Sequence, residues 1–306
     1  MEGEGFMGHD HDHAPATISR AFAIGVGLNL AFVAVEALYG LRAHSLALVA
    51  DAGHNLSDVL GLLLAWGAAA LGAQRPSPRR TYGLRRTSIL AALGNAILLL
   101  LAVGAIAWEA IRRLGSPAPV ASGVVVAVAL VGIGINTATA LLFLRGRKRD
   151  LNVRGAFLHM AADAAVSAGV VVAALVMQRT GWLWLDPVVS LAIAAVITIG
   201  TWELLRDSVN LALDAVPEGI APDQVEAYLA GLPGVVAVHD LHIWGMSTTH
   251  VAMTAHLVKP AVENEDQLLA DLCRAMHDRF GIEHATIQIE RSEAASRCAQ
   301  APVEVV

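Results

Sequence analysis

Six long apolar runs decide what this chain of 306 residues can become. They fall at about 18–41, 45–71, 88–111, 119–144, 156–178 and 187–205. A helix needs about 20 apolar residues to cross roughly 30 Å of hydrocarbon, and each run comes to about that length. With 56% hydrophobic and only 16% charged residues, a soluble fold could not bury so much apolar surface. The expected class is an α-helical membrane protein with six transmembrane helices, seated in a lipid bilayer. Asp186 is expected to cap the sixth helix, with Pro187 in its first turn. Trp182 and Trp184 before that helix, and Trp202 near its end, suit the aromatic belts of a bilayer.

The loops orient these helices. The second connection carries Arg75, Arg79, Arg80, Arg85 and Arg86, and the fourth carries Arg145, Arg147, Lys148, Arg149 and Arg154. The opposite loops hold only Arg42, Arg112, Arg113 and Arg179. Positive loops stay in the cytoplasm, so both termini are expected there, in a multi-pass protein of the cell (inner) membrane. The first residues are acidic and histidine-rich rather than basic then apolar, so no cleavable signal peptide is expected. A net charge of −6 and the lack of a basic stripe argue against a nucleic-acid partner. Two cysteines, Cys273 and Cys298, make no disulfide framework.

After about Asn210 the pattern changes. Helix-like stretches at 222–231 and 264–280 alternate with strand-like ones at 235–244, 249–258 and 284–291. The order predicts a small α+β domain, αββαβ, with an open three-stranded sheet. Period-two alternation places Val235, Ala237, His239, Leu241 and Ile243 on one face of the first strand. The expected organisation is a histidine-rich tail at 1–17, the six-helix membrane domain at 18–208, the cytoplasmic domain at 209–292 and a flexible tail at 293–306.

Inside the apolar runs stand two His-x-x-x-Asp pairs, His54 with Asp58 and His159 with Asp163. Residues four apart share a helix face, so each pair forms a two-pronged claw. Ionisable groups within a span are costly and mark functional pathways. A single pair of this kind could be hydrogen-bonding glue between helices, but two in separate spans point to a buried divalent-cation site. Two imidazoles and two carboxylates supply the four ligands of tetrahedral zinc, with cobalt, nickel and cadmium as competitors. Protons compete with metal for the same lone pairs, which opens a route to exchange of metal against protons. Ala161, Ala162, Ala164, Ala165, Ser167, Ala168 and Gly169 around the second claw suit close helix contact, as do Ala52, Gly53 and Ser57 beside the first. Asp51 lies one turn before His54 and could support the site or sit near the outer leaflet. Glu36, Asn95 and Asn136 read as packing or hydrogen-bonding residues.

At these residues the chain resembles the cation diffusion facilitator family. HSLALVADAGHNLSDVLGLLLAWGA is similar to the family's second-span signature, and HMAADAAVSAGVVV to its fifth-span counterpart. VVAVHDLHIWGMSTTHVAMTAHLV and GIEHATIQIE resemble its cytoplasmic, metallochaperone-like domain. The resemblance runs from about residue 18 to 292, and the His-Asp pairs point to the zinc-transporting, CzcD/ZitB-like branch. It implies a homodimer paired through the cytoplasmic domains, exchanging cytoplasmic zinc for protons by alternating access. It carries His54, Asp58, His159 and Asp163 over as the transport site. His239, His256 and Glu290 match positions that bind regulatory zinc in some members. Gln288 stands where some members place a histidine; His284 could substitute or be a surface residue. The arginine loop between spans two and three has no histidine, so the additional zinc site of some members is not expected there.

Other histidines stay open to two readings. His250 and His256 share a face if both lie on the second strand, and with His239 and Glu290 they would form a zinc cluster. His242 is expected on the opposite face from His239, His277 on a helix surface and His44 in solvent. His9, His11 and His13, interleaved with Asp10 and Asp12, form a tail that attracts metal, either recruiting zinc or serving no purpose. The leading expectation is a zinc exporter and not an enzyme: the His-Glu-x-x-His of zinc proteases is absent. The competing readings are a membrane-bound zinc sensor signalling through its cytoplasmic domain, and the same transporter carrying mainly cadmium, cobalt or nickel.

Overall fold

The computed structural model describes residues 20–143, 151–261 and 264–291. Six long helices come first: α1 (Arg20–Arg42), α2 (Leu46–Gly72), α3 (Thr87–Gly115), α4 (Ser122–Phe143), α5 (Leu151–Thr180) and α6 (Leu185–Ala212). They follow the six apolar runs. Among the described residues α2 to α6 each hold a stretch long and apolar enough to cross a membrane. Leu98, Leu101, Val172, Val196 and Ile199 leave their apolar side chains largely exposed, as residues that face lipid do. Five shorter elements follow: α7 (Pro222–Ala230), β1 (Ala237–Gly245), β2 (Val251–Val258), α8 (Glu265–Phe280) and β3 (His284–Glu290).

The chain forms two compact units. The first, within residues 1–59 and 106–194, holds α1, α4, α5, the start of α2, the end of α3 and the beginning of α6. There α4 packs along α5 and against α1. The α1–α4 contact is close at Gly132, where a Cβ would lie 2.8 Å from Phe32 Cζ and would force the ring to shift.

Asp186 corrects the sequence reading. It stands inside the first turn of α6 and serves the N-terminus of α2 instead. Its carboxylate accepts from Ser45 Oγ at 2.6 Å, Leu46 N at 2.7 Å and Ala47 N at 3.3 Å. Ser45 Oγ accepts in turn from Leu48 N at 3.2 Å. The first N–H groups of α2, which have no partner within the helix, are thereby satisfied. A carboxylate also suits the positive end of the helix dipole, and that favours α2 as the client over a second local cap for α6.

The second unit, within residues 60–105 and 195–306, includes the αββαβ domain. Its sheet runs β1-β2-β3, with β1 and β2 antiparallel and β2 and β3 parallel. The parallel pair requires a crossover, which α8 supplies. Asn264 Oδ1 caps α8 by accepting from Gln267 N, and Gly281 ends it at φ +67°. Val225 and Leu229 of α7, Ile243 of β1, Met253 and Leu257 of β2, and Leu272 and Met276 of α8 form the core. The arginine-rich connection after α2 meets this domain: Arg86 pairs with Asp214, and the Tyr82 ring packs edge-on to His284 at 5.8 Å.

The strand alternation of β1 fails at one place. His239 pairs with His256, but His242 pairs with Thr254, so one extra residue enters between them. Asp240 takes φ +52° at this bulge. A bulge shifts the side-chain period by one. Leu241 and Ile243 consequently face the core with Met253, while His239 stays on the other face. His242 returns to the face of His239 and His256, contrary to simple alternation.

Candidate metal sites

Residues 51, 54, 55 and 58 fall on one stripe of α2, and 159, 163 and 167 on one stripe of α5. Side chains bridge the two helices. His54 Nε2 lies 3.4 Å from Asp163 Oδ1, with Asp163 only 3% exposed and His54 23% exposed. One member of each claw is thus within reach of the other claw. The side chains of Asp58 and His159 lie outside the described residues; their positions in α2 and α5 place each one turn from its described partner. Asp51 is buried, and Ser167 Oγ, one turn along α5 from Asp163, donates to Asp51 Oδ2 at 2.8 Å. The neighbouring Asn55 Nδ2 donates to Glu36 Oε2 on α1 at 3.1 Å. Of the small residues around the second claw, Ser167 is buried, whereas Ala161, Ala162, Ala165 and Gly169 are exposed. The approach to α2 therefore comes through Asp163 and Ser167 rather than through a seam of alanines.

A second group lies on the outer face of the small sheet. One ligand atom from each of His239, His256 and Glu290 falls within 4.8 Å of the others. Glu290 bridges the two imidazoles, with Oε2 at 3.2 Å from His239 Nε2 and Oε1 at 3.1 Å from His256 Nδ1. Burial pushes the Glu290 carboxyl up, but hydrogen bonds and charge attraction from His239 and then His256 outweigh it and hold the group below its ordinary range. His239 Nδ1 is buried without a hydrogen-bond partner. Two imidazoles and a carboxylate, with a buried ring nitrogen left over, fit a borderline cation such as zinc.

The bulge adds a residue that alternation missed. Asp240 Oδ2 reaches His256 Nε2 at 3.5 Å, and Asp240 Oδ1 lies 2.9 Å from His242 Nε2. Simple alternation along β1 could not reveal this, because the positive φ of Asp240 turns its carboxylate toward the histidine face. The expected ligands His250 and His284 do not join the group. His250 precedes β2, in a turn where its Nδ1 lies 3.1 Å from Ser247 Oγ. It is six residues from His256, about 20 Å along an extended chain. His284 begins β3 opposite Ala252, at the far end of the strand from Glu290, and packs on Tyr82. Gln288 is the residue beside His256, and its Nε2 donates to Glu290 Oε1 at 3.4 Å. His9, His11 and His13 lie outside the described residues.

Comparison with known proteins gives the family. The cation efflux transmembrane domain family matches residues 22–211, and the cation efflux protein cytoplasmic domain family matches residues 217–292. The chain belongs to the cation diffusion facilitator family. The metal cation efflux system protein CzcD of Cupriavidus metallidurans is 37% identical over 283 residues, covering 92% of this chain and 89% of that protein. The zinc transporter ZitB of Escherichia coli is 35% identical over 291 residues, covering 93% of each. A cadmium, cobalt and zinc/H(+)-K(+) antiporter of Bacillus velezensis is 32% identical over 289 residues, covering 93% of this chain and 92% of its own. Among solved structures, the metal-bound C-terminal domain of the CzcD transporter aligns with 23% of this chain and 99% of its own, at 38% identity and a TM-score of 0.22. This cation diffusion facilitator is a multi-pass membrane protein, a cation efflux transporter of the CzcD and ZitB type.

Proposed function

We propose that the chain exports zinc from the cytoplasm in exchange for protons, by alternating access around a site made by His54, Asp58, His159 and Asp163. The observation that carries this reading is the 3.4 Å approach of His54 to Asp163, which joins the two claws across α2 and α5. The zinc transporter ZitB and the zinc-carrying antiporter among its relatives support zinc as cargo. The imidazoles favour the same metal over magnesium or manganese. With zinc present the two aspartates are balanced by its charge; without it they need protons or water, because a bare buried carboxylate costs several kcal/mol. Protons and metal then alternate on one ligand set. Zinc flux into proteoliposomes, read against a panel of divalent cations at two pH gradients, tests the reading. Flux that ignores the gradient would remove the proton half of it.

The imidazoles give a selectivity test. His54→Asp replaces a borderline nitrogen ligand with a hard oxygen and should shift relative transport between zinc and cadmium. An unchanged metal ranking in competition assays would contradict the ligand assignment.

The cytoplasmic domain, proposed as residues 209–292 below a membrane domain of 18–208, would pair two copies of the chain as a homodimer with cytoplasmic termini at the inner membrane. His239, His256 and Glu290, with Asp240 alongside, would hold regulatory zinc. Glu290→Ala removes the carboxylate that touches both imidazoles. Zinc affinity of the non-transport site should fall at least tenfold, given that even indirect partners of metal ligands are worth about 10–100-fold. Titration of the full-length protein with a zinc-chelating dye in an Asp163→Ala background, with and without Glu290→Ala, isolates the contribution of this site by difference.

A further inference from the structure

The connection between α2 and α3, residues 73–86, carries Arg75, Arg79, Arg80, Arg85 and Arg86 and no acidic residue, in a chain whose net charge is −6. Arginines elsewhere on the surface are commonly balanced. Arg112 and Arg113 pair with Glu109, Arg206 with Asp207 and Glu218, and Arg291 with Glu265. In this connection only Arg86 meets an acid among the described residues, and that acid is Asp214. Arg75, Arg79 and Arg80 are exposed and Arg85 is half-buried.

The charges stand on a folded turn. Ser77 N donates to Arg80 O at 3.1 Å, and Arg80 N returns the bond to Ser77 O at 2.9 Å. Gly83, at φ +71°, donates its N–H to the same Arg80 oxygen at 2.9 Å. Here the backbone doubles back so closely that a Cβ at Gly83 would lie 3.4 Å from Gln74 O. Pro76 and Pro78 on either side of Ser77 remove further freedom. Like charges held together on such a turn repel one another, and an anion placed among them relieves that repulsion.

We propose that this turn binds the phosphate headgroups of anionic phospholipids in the leaflet on its own side of the membrane. Its position selects a lipid over a soluble anion. Arg75 follows the end of α2 by three residues and Arg86 directly precedes α3, and both helices hold stretches of membrane-spanning length and hydropathy. Arginines at the ends of spans extend their charged heads to the headgroup level while their stems lie on apolar surface. The guanidinium fork matches two phosphate oxygens at once. A basic cluster just outside a span gains about fivefold in affinity for an anionic surface per residue. Because Asp214 engages Arg86, the other four arginines serve the lipid without competing for the tie between turn and cytoplasmic domain.

The full-length protein in neutral detergent, titrated with phosphatidylglycerol or phosphatidylcholine and followed by native mass spectrometry, tests this. Phosphatidylglycerol should bind more tightly, and added salt should weaken it. Protein with both Arg79→Gln and Arg80→Gln should lose one class of bound phosphatidylglycerol, its affinity falling about 25-fold. The turn itself should survive, since Ser77 and Arg80 are joined through backbone atoms, and an unchanged melting temperature without lipid checks this. Lipid held by the other basic run, 145–154, should remain as a constant background. Arg112→Gln, at the opposite end of α3, should leave phosphatidylglycerol binding unchanged. Equal affinity for the two lipids, undiminished binding by the double variant, or an equal loss in Arg112→Gln protein overturns the proposal. Inorganic phosphate should fail to displace the lipid; displacement would mark a site for soluble anions and overturn the lipid assignment.

Discussion

Asp163→Ala protein should carry no zinc above the leak of protein-free liposomes. The carboxylate is 3% exposed, faces the His54 ring at 3.4 Å and sits one turn from Ser167. Its removal takes away a metal ligand, frees His54 from its partner across α2 and α5, and leaves the buried site with excess neutral donors. Loss of an indirect partner alone lowers metal affinity about 10–100-fold, so a missing ligand should lower zinc flux by at least ~100-fold. Asp58→Ala should match it if both claws close on one ion. Ser167→Ala, which removes only the donor to Asp51, should cause a smaller loss. The cytoplasmic group shares no residue with this site, so zinc binding there should be unchanged, and an unaltered melting temperature of the detergent-solubilised variant verifies that the membrane domain is folded. Undiminished transport by either aspartate variant would remove His54, Asp58, His159 and Asp163 as the transport site.

The claws and the helices that carry them were legible because their signals are local. A run of apolar residues needs no partner to declare a membrane helix, and spacing of four declares a shared face. The order of elements after Asn210 was legible for the same reason. What escaped depended on contacts distant in sequence or on one backbone angle. Asp186 looks like a cap for the helix it begins, yet its partners are Ser45, Leu46 and Ala47, about 140 positions away. Glu36 looks like an isolated polar residue until α1 and α2 bring it to Asn55. In β1 a single residue at φ +52° reversed the faces of Leu241, His242 and Ile243, and turned Asp240 into a neighbour of His256. His250 was misplaced because alternation was extended past the true start of β2 at Val251.

Asp186→Ala should weaken the protein more than any other single change at the helix ends, and it should do so through α2. Three hydrogen bonds end on this carboxylate, two of them from backbone N–H groups at the start of the helix that carries His54 and Asp58. The side chain is 1% exposed, and no other side chain among the described residues replaces it as acceptor for Leu46 N or Ala47 N. Hydrogen bonds to a charged group contribute about 1.5–3 kcal/mol each, and a buried donor left without an acceptor costs about 1–3 kcal/mol. Since Ser45 still accepts from Leu48 N, the cap survives in part, and a net loss of roughly 3 kcal/mol is expected. Ser45→Ala removes one of the bonds to Asp186 and the bond to Leu48 N, and should cost about 1 kcal/mol. Asp186→Asn keeps one acceptor oxygen and should fall between the two. Melting of the detergent-solubilised protein, followed by tryptophan fluorescence, should order the variants as wild type, Ser45→Ala, Asp186→Asn and Asp186→Ala. Zinc flux should follow the same order, because a loosened α2 displaces half of the ligand set. Asp186→Asn protein with unchanged melting but abolished flux would show that the carboxylate acts on metal or protons instead of holding the helix.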